Sequence, residues 1–282
     1  MIRWRGFVVA MALVVGAVAA FAQVQKPPAD PEASWKAFIA WFQAAPVTVN
    51  PFQDYPAKLQ RDGRSDAEIR QEMARLVGMA AERSDWIGAH FDKVYARPLT
   101  GNPAADGFDA EPSAFLVTST AGLKPGTALD VGMGQGRNAV YLARQGWAVT
   151  GFDISAGALA ASRANAGRAG VRLETVQAGY DDFDFGTERW DLVVLAFAWA
   201  PVADPAFVAR LRIALRPNGR VVFEHFVVPE RLPGPNITKV LAPNELRACF
   251  RDFDIVTYEE ADGTGDWGGP GSRLVRMVAV KR

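Results

Sequence analysis

The segment that most constrains the fold is a short unit in which two apolar strands flank a glycine-rich loop and a helix. The stretch Thr127–Ala143 contains the first strand, the loop and the start of the helix, and Val149–Ser155 contains the second strand. Every second position of the loop is glycine: Gly132, Gly134 and Gly136. Because glycine has no Cβ, the main chain there can adopt unusual dihedral angles and approach a ligand closely. The pattern predicts a βαβ unit that holds a nucleotide-like ligand.

The loop spacing and two carboxylates narrow the choice of ligand. A dinucleotide fingerprint has the spacing G-x-G-x-x-G, but Arg137 follows Gly136 directly, so the spacing here is G-x-G-x-G. Asp130, at the end of the first strand, would repel a pyrophosphate and attract a ligand that carries an amino group and a sulfonium. Asp153 ends the second strand, where a carboxylate accepts hydrogen bonds from ribose hydroxyls. These features disfavour NAD and an oxidoreductase.

The unit closely resembles motifs I and II of the class I S-adenosylmethionine-dependent methyltransferases. The resemblance implies S-adenosyl-L-methionine as the cofactor and methyl transfer as the activity. It also implies that the ribose and adenine lie beside Asp153 and Ile154. The residues expected to wrap the methionine moiety are Asp130, Gly132, Met133, Gly134 and Gly136.

Recognition of the adenine departs from the family pattern. An acidic residue after the third strand usually meets the adenine amino group in this family. Alignment on residues 183–186 places Gly179 at that position. Tyr180 and Asp181 are the alternative candidates, through a backbone N–H, stacking or the carboxylate. Alternatively, the Asp181–Asp182 pair simply lies in an exposed loop and contacts no ligand.

Alternating helix and strand patterns continue to the end of the chain and predict an α/β fold. The last two strands, 253–258 and 274–281, have no crossover-length helix between them, so we expect an antiparallel pair. The resemblance covers roughly residues 91–282. It implies a seven-stranded, doubly wound Rossmann-like sheet that is mostly parallel with one antiparallel strand. The methyltransferase domain is assigned to residues 111–282.

A helical N-terminal extension is predicted over residues 34–110. Apolar residues recur at helical spacing from Trp35 onwards, and Ser65–Glu68 has the form of a capping box. These helices can simply pack their apolar faces on the core. In an alternative interpretation part of the extension covers the cofactor as a lid, and Phe91–Tyr95 is the best candidate for that role.

Composition indicates a small molecule as the partner. The 282 residues include 31 basic and 31 acidic side chains, so no electrostatic footprint for nucleic acid is visible. Cys249 is the single cysteine, which excludes an intramolecular disulfide and a thiolate-rich metal site. With only two histidines, His90 and His225, we expect no metal centre.

The first residues have the pattern of a secretory signal peptide. A basic start is followed by an apolar run and by Ala20–Ala22, which has the small-x-small form of a cleavage site. We therefore assign residues 1–22 to a signal peptide and expect an exported protein, periplasmic or secreted. An uncleaved membrane anchor over residues 6–22 is the alternative, and 23–33 form a Pro-rich spacer in either case. Export conflicts with a cofactor that is made in the cytoplasm.

The sequence defines the methyl acceptor and the catalytic groups less closely than it defines the cofactor. Residues 195–201 lack the motif that many nitrogen methyltransferases carry after the fourth strand. Methyl transfer depends largely on positioning, so a general base is optional. His225 is the candidate base, with a structural histidine as the alternative, and Trp199 and Trp267 could line an acceptor pocket or simply pack. Two functions stay open: a small-molecule methyltransferase, or an exported non-catalytic protein that keeps the fold to bind a ligand or partner.

Overall fold

The computed structural model describes residues 30–44, 51–81, 83, 85–96, 109–227, 243–265 and 270–282. The chain divides into two compact units, one up to residue 83 and one that contains the rest of the described residues. The proposed signal peptide or anchor, most of the Pro-rich spacer and Trp267 lie outside the described residues. Among the described helices, none has both the length and the apolar character that a membrane crossing requires.

The first unit consists of helices α1 (Pro31–Ala44), α2 (Pro51–Arg61) and α3 (Asp66–Ala81). The capping box predicted from the sequence is present at the start of α3. The Ser65 N–H donates to Glu68 at 3.0 Å, and the Glu68 N–H points back to the Ser65 hydroxyl at 3.4 Å. Aromatic side chains form the core of this unit, with the Phe38 and Tyr55 rings edge to face at 5.2 Å.

The second unit carries the predicted alternation of helices and strands. Its helices are α4 (Asp85–Tyr95), α5 (Ala114–Thr120), α6 (Arg137–Arg144), α7 (Ala156–Arg168), α8 (Pro205–Ala214) and α9 (Glu245–Cys249). Its strands are β1 (Thr127–Val131), β2 (Ala148–Asp153), β3 (Glu174–Gln177), β4 (Trp190–Ala196), β5 (Leu215–Phe226), β6 (Phe253–Thr264) and β7 (Pro270–Lys281).

The seven strands form one sheet in the order β3-β2-β1-β4-β5-β7-β6. Strands β1 to β5 are parallel, and β7 runs antiparallel to both of its neighbours. This confirms the predicted seven-stranded, mostly parallel Rossmann-like sheet. The order reverses between β1 and β4, and in doubly wound sheets ligands bind at the carboxyl edge beside this point.

Two strand boundaries differ from the sequence prediction. The third strand was expected over 171–176 but pairs with β2 only from Glu174 onwards, so it is shorter. The terminal hairpin is longer than predicted because charged residues extend it beyond the apolar stretch. Glu259 faces Arg276 and Asp262 faces Arg273 across β6 and β7, and opposite charges at such positions stabilise a strand pair.

Apolar side chains cover both faces of the sheet. On one face a cluster around Trp190, Phe207 and Phe223 packs β4 and β5 against α8. On the other face Leu142 of α6 and Leu116 of α5 pack against β1 and its neighbours. Because both faces are covered, the strands read in sequence as nearly continuous apolar runs rather than as alternating patterns.

Candidate cofactor site

The glycine loop between β1 and α6 has the left-handed backbone that its sequence predicts. The φ angles of Gly132, Gly134 and Gly136 are 62°, 53° and 77°. A Cβ at Gly134 would lie 2.6 Å from the Tyr95 hydroxyl, and one at Gly136 would lie 2.8 Å from the Ser162 side chain. Gly134 therefore keeps the cleft open under α4, whereas Gly136 allows the loop to pack closely on α7.

Asp153 lies at the end of β2 and is bonded to the loop. Its Oδ2 accepts the Gly134 N–H at 2.9 Å, and its Oδ1 accepts the Ser155 N–H at 2.9 Å. Burial raises the pKa of this carboxyl, and these backbone N–H groups oppose the rise by stabilising the charged form. The structure therefore places Asp153 directly beside the glycine loop, where the sequence predicts the ribose contact.

Asp130 lies at the floor of the same region, at the end of β1, and is only 2% exposed. Burial raises its pKa to about 7, although the nearby Arg137 guanidinium and the Ala139 N–H at the start of α6 favour the charged form. Among the described residues, its Oδ2 has no hydrogen-bond partner. A buried carboxylate oxygen of this kind is expected to bind a donor or a cation, because burying it alone is costly.

Helix α4 covers this part of the site. Asp92 Oδ1 accepts the Ser155 hydroxyl at 2.6 Å and the Gly157 N–H at 2.8 Å, so α4 is fastened to the N-terminus of α7. A Cβ at Gly157 would lie 3.2 Å from the Asp92 backbone, which shows that the two helices approach closely here, and a Cβ at Gly88 would lie 3.5 Å from Ile154. One turn beyond Asp92, the Tyr95 hydroxyl reaches the glycine loop.

A cleft with an empty volume of about 430 Å³ opens between these elements. Asp130 and the glycine loop line one part of it, and Tyr95 and Phe197 line others. Three residues that no sequence motif marks also line the cleft: Asp109, Gln135 and Asn138. Gln135 donates through Nε2 to the Asp109 carbonyl at 2.8 Å, so the loop is tied to the segment before α5. Sequence alone carries no signal for this long-range contact.

Three of the predicted cofactor residues make side-chain contacts with other parts of the protein. Met133 lines the cleft, but its side chain packs under Gly151 in the core. The Tyr180 hydroxyl donates to the Ala198 carbonyl, its ring packs on Phe152, and burial raises its pKa. Asp181 is almost fully exposed and pairs with Arg210 at 3.2 Å. The contacts of Tyr180 and Asp181 are thus with the protein itself, and a role in adenine recognition stays a prediction.

His225 lies near the carboxyl end of β5 and is 3% exposed. Its Nδ1 is 3.3 Å from the Phe226 carbonyl. Burial lowers its pKa to about 4, so the imidazole is neutral near pH 7. The Trp199 ring meets it edge to face, with the centroids 4.7 Å apart. The structure thus joins two residues that the sequence analysis considered separately, and the catalytic role of His225 stays a prediction.

A buried polar network behind the cleft was not predicted. Glu224 Oε2 accepts the Ser113 hydroxyl at 2.5 Å, and its Oε1 accepts the Arg276 Nε–H at 2.8 Å. The Ser113 N–H donates to the Asn138 side chain at 2.9 Å, so the network reaches a residue that lines the cleft. Glu224 is a charged residue in an otherwise apolar strand, and this was the only sequence signal for the network. Its partners could not be predicted, because they depend on strand register and on the docking of α5.

An open parallel sheet, a left-handed glycine loop after β1 and a carboxylate after β2 define a nucleoside-binding α/β domain. Residues 128–219 match the family model described as a methyltransferase domain, which is about a third of the chain. Over this segment the second unit thus resembles a class I S-adenosylmethionine-dependent methyltransferase domain, and the resemblance implies S-adenosyl-L-methionine as the cofactor.

The curated relatives align with part of this domain. The chain is 33% identical to a ubiquinone biosynthesis O-methyltransferase of Serratia proteamaculans over 39% of this chain and 46% of that protein. It is 40% identical to a ribosomal RNA small subunit methyltransferase C of Alcanivorax borkumensis over 30% of this chain and 26% of that protein. The chain therefore spans less than half the length of either relative.

One solved structure shows the same fold. It is a SAM-dependent methyltransferase from Aquifex aeolicus, with a TM-score of 0.50 and 19% sequence identity. The match covers 68% of this chain and 98% of that chain. At this identity the likeness describes the fold of the domain and carries no information on the acceptor.

Proposed function

We propose that this protein transfers the methyl group of S-adenosylmethionine to a small molecule. The observation that carries the proposal is the buried Asp130 carboxyl, whose Oδ2 has no partner among the described residues and which lines the cleft beside Gly132 and Gly134. The cofactor carries a positive ammonium and a positive sulfonium. A carboxylate in a buried site attracts both more strongly than it would in water.

The residues around the cleft have separate tasks in this proposal. Asp130 binds the amino end of the cofactor, and the glycine loop allows the methionine moiety to approach the backbone. Asp153 binds the ribose through lone pairs that its two backbone donors leave free. Tyr95 and α4 close the cleft from above and exclude water. The bound cofactor supplies an electrophilic methyl group, and the chain contributes positioning.

A small-molecule acceptor is supported by the relatives and by the charge of the chain. The Serratia proteamaculans relative is named for ubiquinone biosynthesis and for O-methylation, which favours a small acceptor that is methylated on oxygen. The Alcanivorax borkumensis relative is named for ribosomal RNA. Equal numbers of basic and acidic residues argue against a phosphate backbone as the partner of this chain. The alternative of a non-catalytic binding protein receives no support from either relative.

Calorimetric titration of the folded protein with S-adenosylmethionine and S-adenosylhomocysteine tests the proposal. We expect both to bind, and Asp130→Ala and Asp153→Ala to weaken binding about tenfold or more, because each removes a charged hydrogen-bond acceptor. Asp254→Ala is the matched control, because Asp254 lies on β6 and its exposed carboxylate forms an ion pair with Arg282. Failure of both ligands to bind the folded wild-type protein would overturn the proposal.

We further propose that residues 1–22 direct export of the protein. The support is the basic start, the apolar run Gly6–Ala19 and the small residues that precede Gln23. N-terminal sequencing of protein recovered from fractionated source cells is the test. A chain that begins at Gln23 outside the cytoplasm agrees with export, whereas an intact Met1 in the membrane fraction indicates an anchor.

A further inference from the structure

The imidazole of His225 presents a hydrogen-bond acceptor inside the protein. Because the Phe226 carbonyl can only accept, the nitrogen that contacts it, Nδ1, carries the proton in the neutral ring. Nε2 therefore carries a lone pair. It is buried, and no described residue donates to it. Buried polar atoms without a partner are uncommon and often mark a functional site.

Four aromatic rings pack around the His225 ring, and we name them the ring cluster: Phe197, Trp199, Phe223 and Phe226. Their centroids lie between 4.7 and 6.2 Å from that of His225. Phe197 also lines the cofactor cleft, so the ring cluster adjoins that cleft through one of its members. The cluster offers flat apolar surfaces around one lone pair.

The backbone of the ring cluster is strained where it follows β4. Phe197 has a φ of 55° and Trp199 a φ of 53°, a region that bulky side chains rarely adopt. The Phe197 N–H donates to the Glu224 carbonyl at 2.8 Å, which holds the turn in place. Strain of this kind is concentrated at ligand-binding sites, and this turn lies at the carboxyl edge of the sheet, where such ligands bind.

We propose that the ring cluster and His225 bind the methyl acceptor, and that the acceptor is a planar aromatic compound whose hydroxyl donates to Nε2. This inference rests on the proposed function and names the substrate class of the same site. The rings of the cluster stack on the aromatic ring of this compound. The hydrogen bond to Nε2 orients the oxygen of the compound towards the cleft. Trp199, which is partly exposed and covers the imidazole, must move aside to admit the acceptor.

Methyl transfer to a hydroxyl releases a proton that the free lone pair of Nε2 can accept. The acceptor oxygen forms a bond to the methyl carbon, the carbon–sulfur bond breaks, and its electron pair stays on sulfur, which becomes neutral. An oxygen that has gained a methyl group while keeping its proton is far more acidic than an imidazolium, so the proton passes to Nε2 and then to water.

Nitrogen NMR of the full chain labelled at histidine tests the inference, because only two histidines contribute signals. The protein is first saturated with S-adenosylhomocysteine. Catechol is then added in one titration and its dimethyl ether in another. We expect catechol to shift the Nε2 signal of His225 towards the hydrogen-bonded range, and the ether, which has no hydroxyl, to leave it unchanged. The His225→Gln variant assigns the signal.

Kinetics with S-adenosylmethionine and catechol give a second readout. Trp199→Ala should raise the KM for catechol about tenfold, the size expected from a lost ring contact, without changing the Kd of S-adenosylhomocysteine. Trp190→Phe is the matched control, because this tryptophan begins β4, whereas Trp199 follows the end of that strand.

The outcomes separate the two proposals. If S-adenosylhomocysteine binds but catechol does not move the Nε2 signal, or moves it no more than the ether does, the acceptor site is wrong. Methylation of aniline in preference to catechol would also overturn it. If S-adenosylhomocysteine itself fails to bind the folded protein, the proposed function fails instead.

Discussion

The N–H of Gly134 donates to Oδ2 of Asp153 across 2.9 Å, so the loop after β1 is bonded to the carboxylate that ends β2. The other oxygen of this carboxylate accepts the Ser155 N–H at the start of α7. Each carboxylate oxygen can accept two hydrogen bonds, so the carboxylate keeps a position for a ribose hydroxyl. One side chain therefore fixes the loop and supplies the expected ribose contact, and changes on either side of this bond should act on cofactor binding.

Replacement of Gly134 by alanine should abolish cofactor binding. The φ of 53° is unfavourable for alanine by about 1–2 kcal/mol, and the new Cβ would lie 2.6 Å from the Tyr95 hydroxyl, across the cleft. Titration with S-adenosylhomocysteine measures the loss of binding, and thermal unfolding measures the loss of stability. Gly122→Ala is the matched control, because its φ is 76° with no atom within 4 Å of the added Cβ. Equal Kd values in the two variants would contradict the assignment.

Cofactor affinity should depend on pH through Asp130. The pKa of this carboxyl is about 7, and only its charged form attracts the cofactor ammonium. Below pH 7 affinity should fall by about tenfold for each pH unit, because binding requires loss of the proton. Above about pH 7.7 to 8.0 the cofactor amino group itself becomes neutral. Calorimetry from pH 5.5 to 9 should show the strongest binding between about pH 7 and 8, and Asp130→Asn should lose the acidic limb of the profile.

The raised pKa of Asp130 also predicts how the free energy of unfolding of the ligand-free protein depends on pH. In the unfolded chain the acid loses its proton near pH 3.8, whereas in the folded protein it keeps the proton up to about pH 7. The folded state therefore binds more protons in this interval, and the free energy of unfolding should fall as the pH rises from about 4 to about 7. Denaturant unfolding of the wild type and of Asp130→Asn measures this slope, and an equally steep slope in the variant would show that other groups cause it.

Replacement of Asp92 by alanine should loosen the cover of the cleft. The carboxylate accepts from the Ser155 hydroxyl and from the Gly157 N–H, so its removal leaves the start of α7 without two partners. We expect a stability loss of about 1–2 kcal/mol and a cofactor Kd raised about tenfold. Asp204→Ala removes the cap of α8 in the same unit and serves as control. A Kd that changes equally in both variants would show that α4 does not contribute to binding.

The fold and the glycine loop could be predicted because their signals are local. The loop, Asp130 and Asp153 lie within one βαβ unit, where glycine spacing and strand ends determine the geometry. The antiparallel order at the end of the sheet followed from the short link between β6 and β7, which leaves no room for a crossover helix.

The remaining contacts could not be predicted because they join distant segments. Asp92 contacts Ser155 only after α4 docks on α7, and Ser113 contacts Glu224 across 111 positions. Periodicity identifies the buried face of an element but not its partner side chains. Tyr180 illustrates the same limit, because the bond from its hydroxyl after β3 to the Ala198 carbonyl after β4 depends on how the two strands are placed in the sheet.

The buried carboxylate of Glu224 should contribute more to stability than any exposed ion pair. Glu224→Gln keeps the size of the side chain but removes the negative charge that pairs with Arg276. Loss of one partner of a buried ion pair commonly lowers the free energy of unfolding by about 3–5 kcal/mol. Arg276 is partly exposed and also pairs with Glu259 at 3.5 Å, so we expect about 2 kcal/mol here. Denaturant unfolding measures the loss, with Asp254→Asn, from an exposed pair, expected within about 0.5 kcal/mol of the wild type. Similar losses in both variants would show that burial adds nothing to the Glu224 pair.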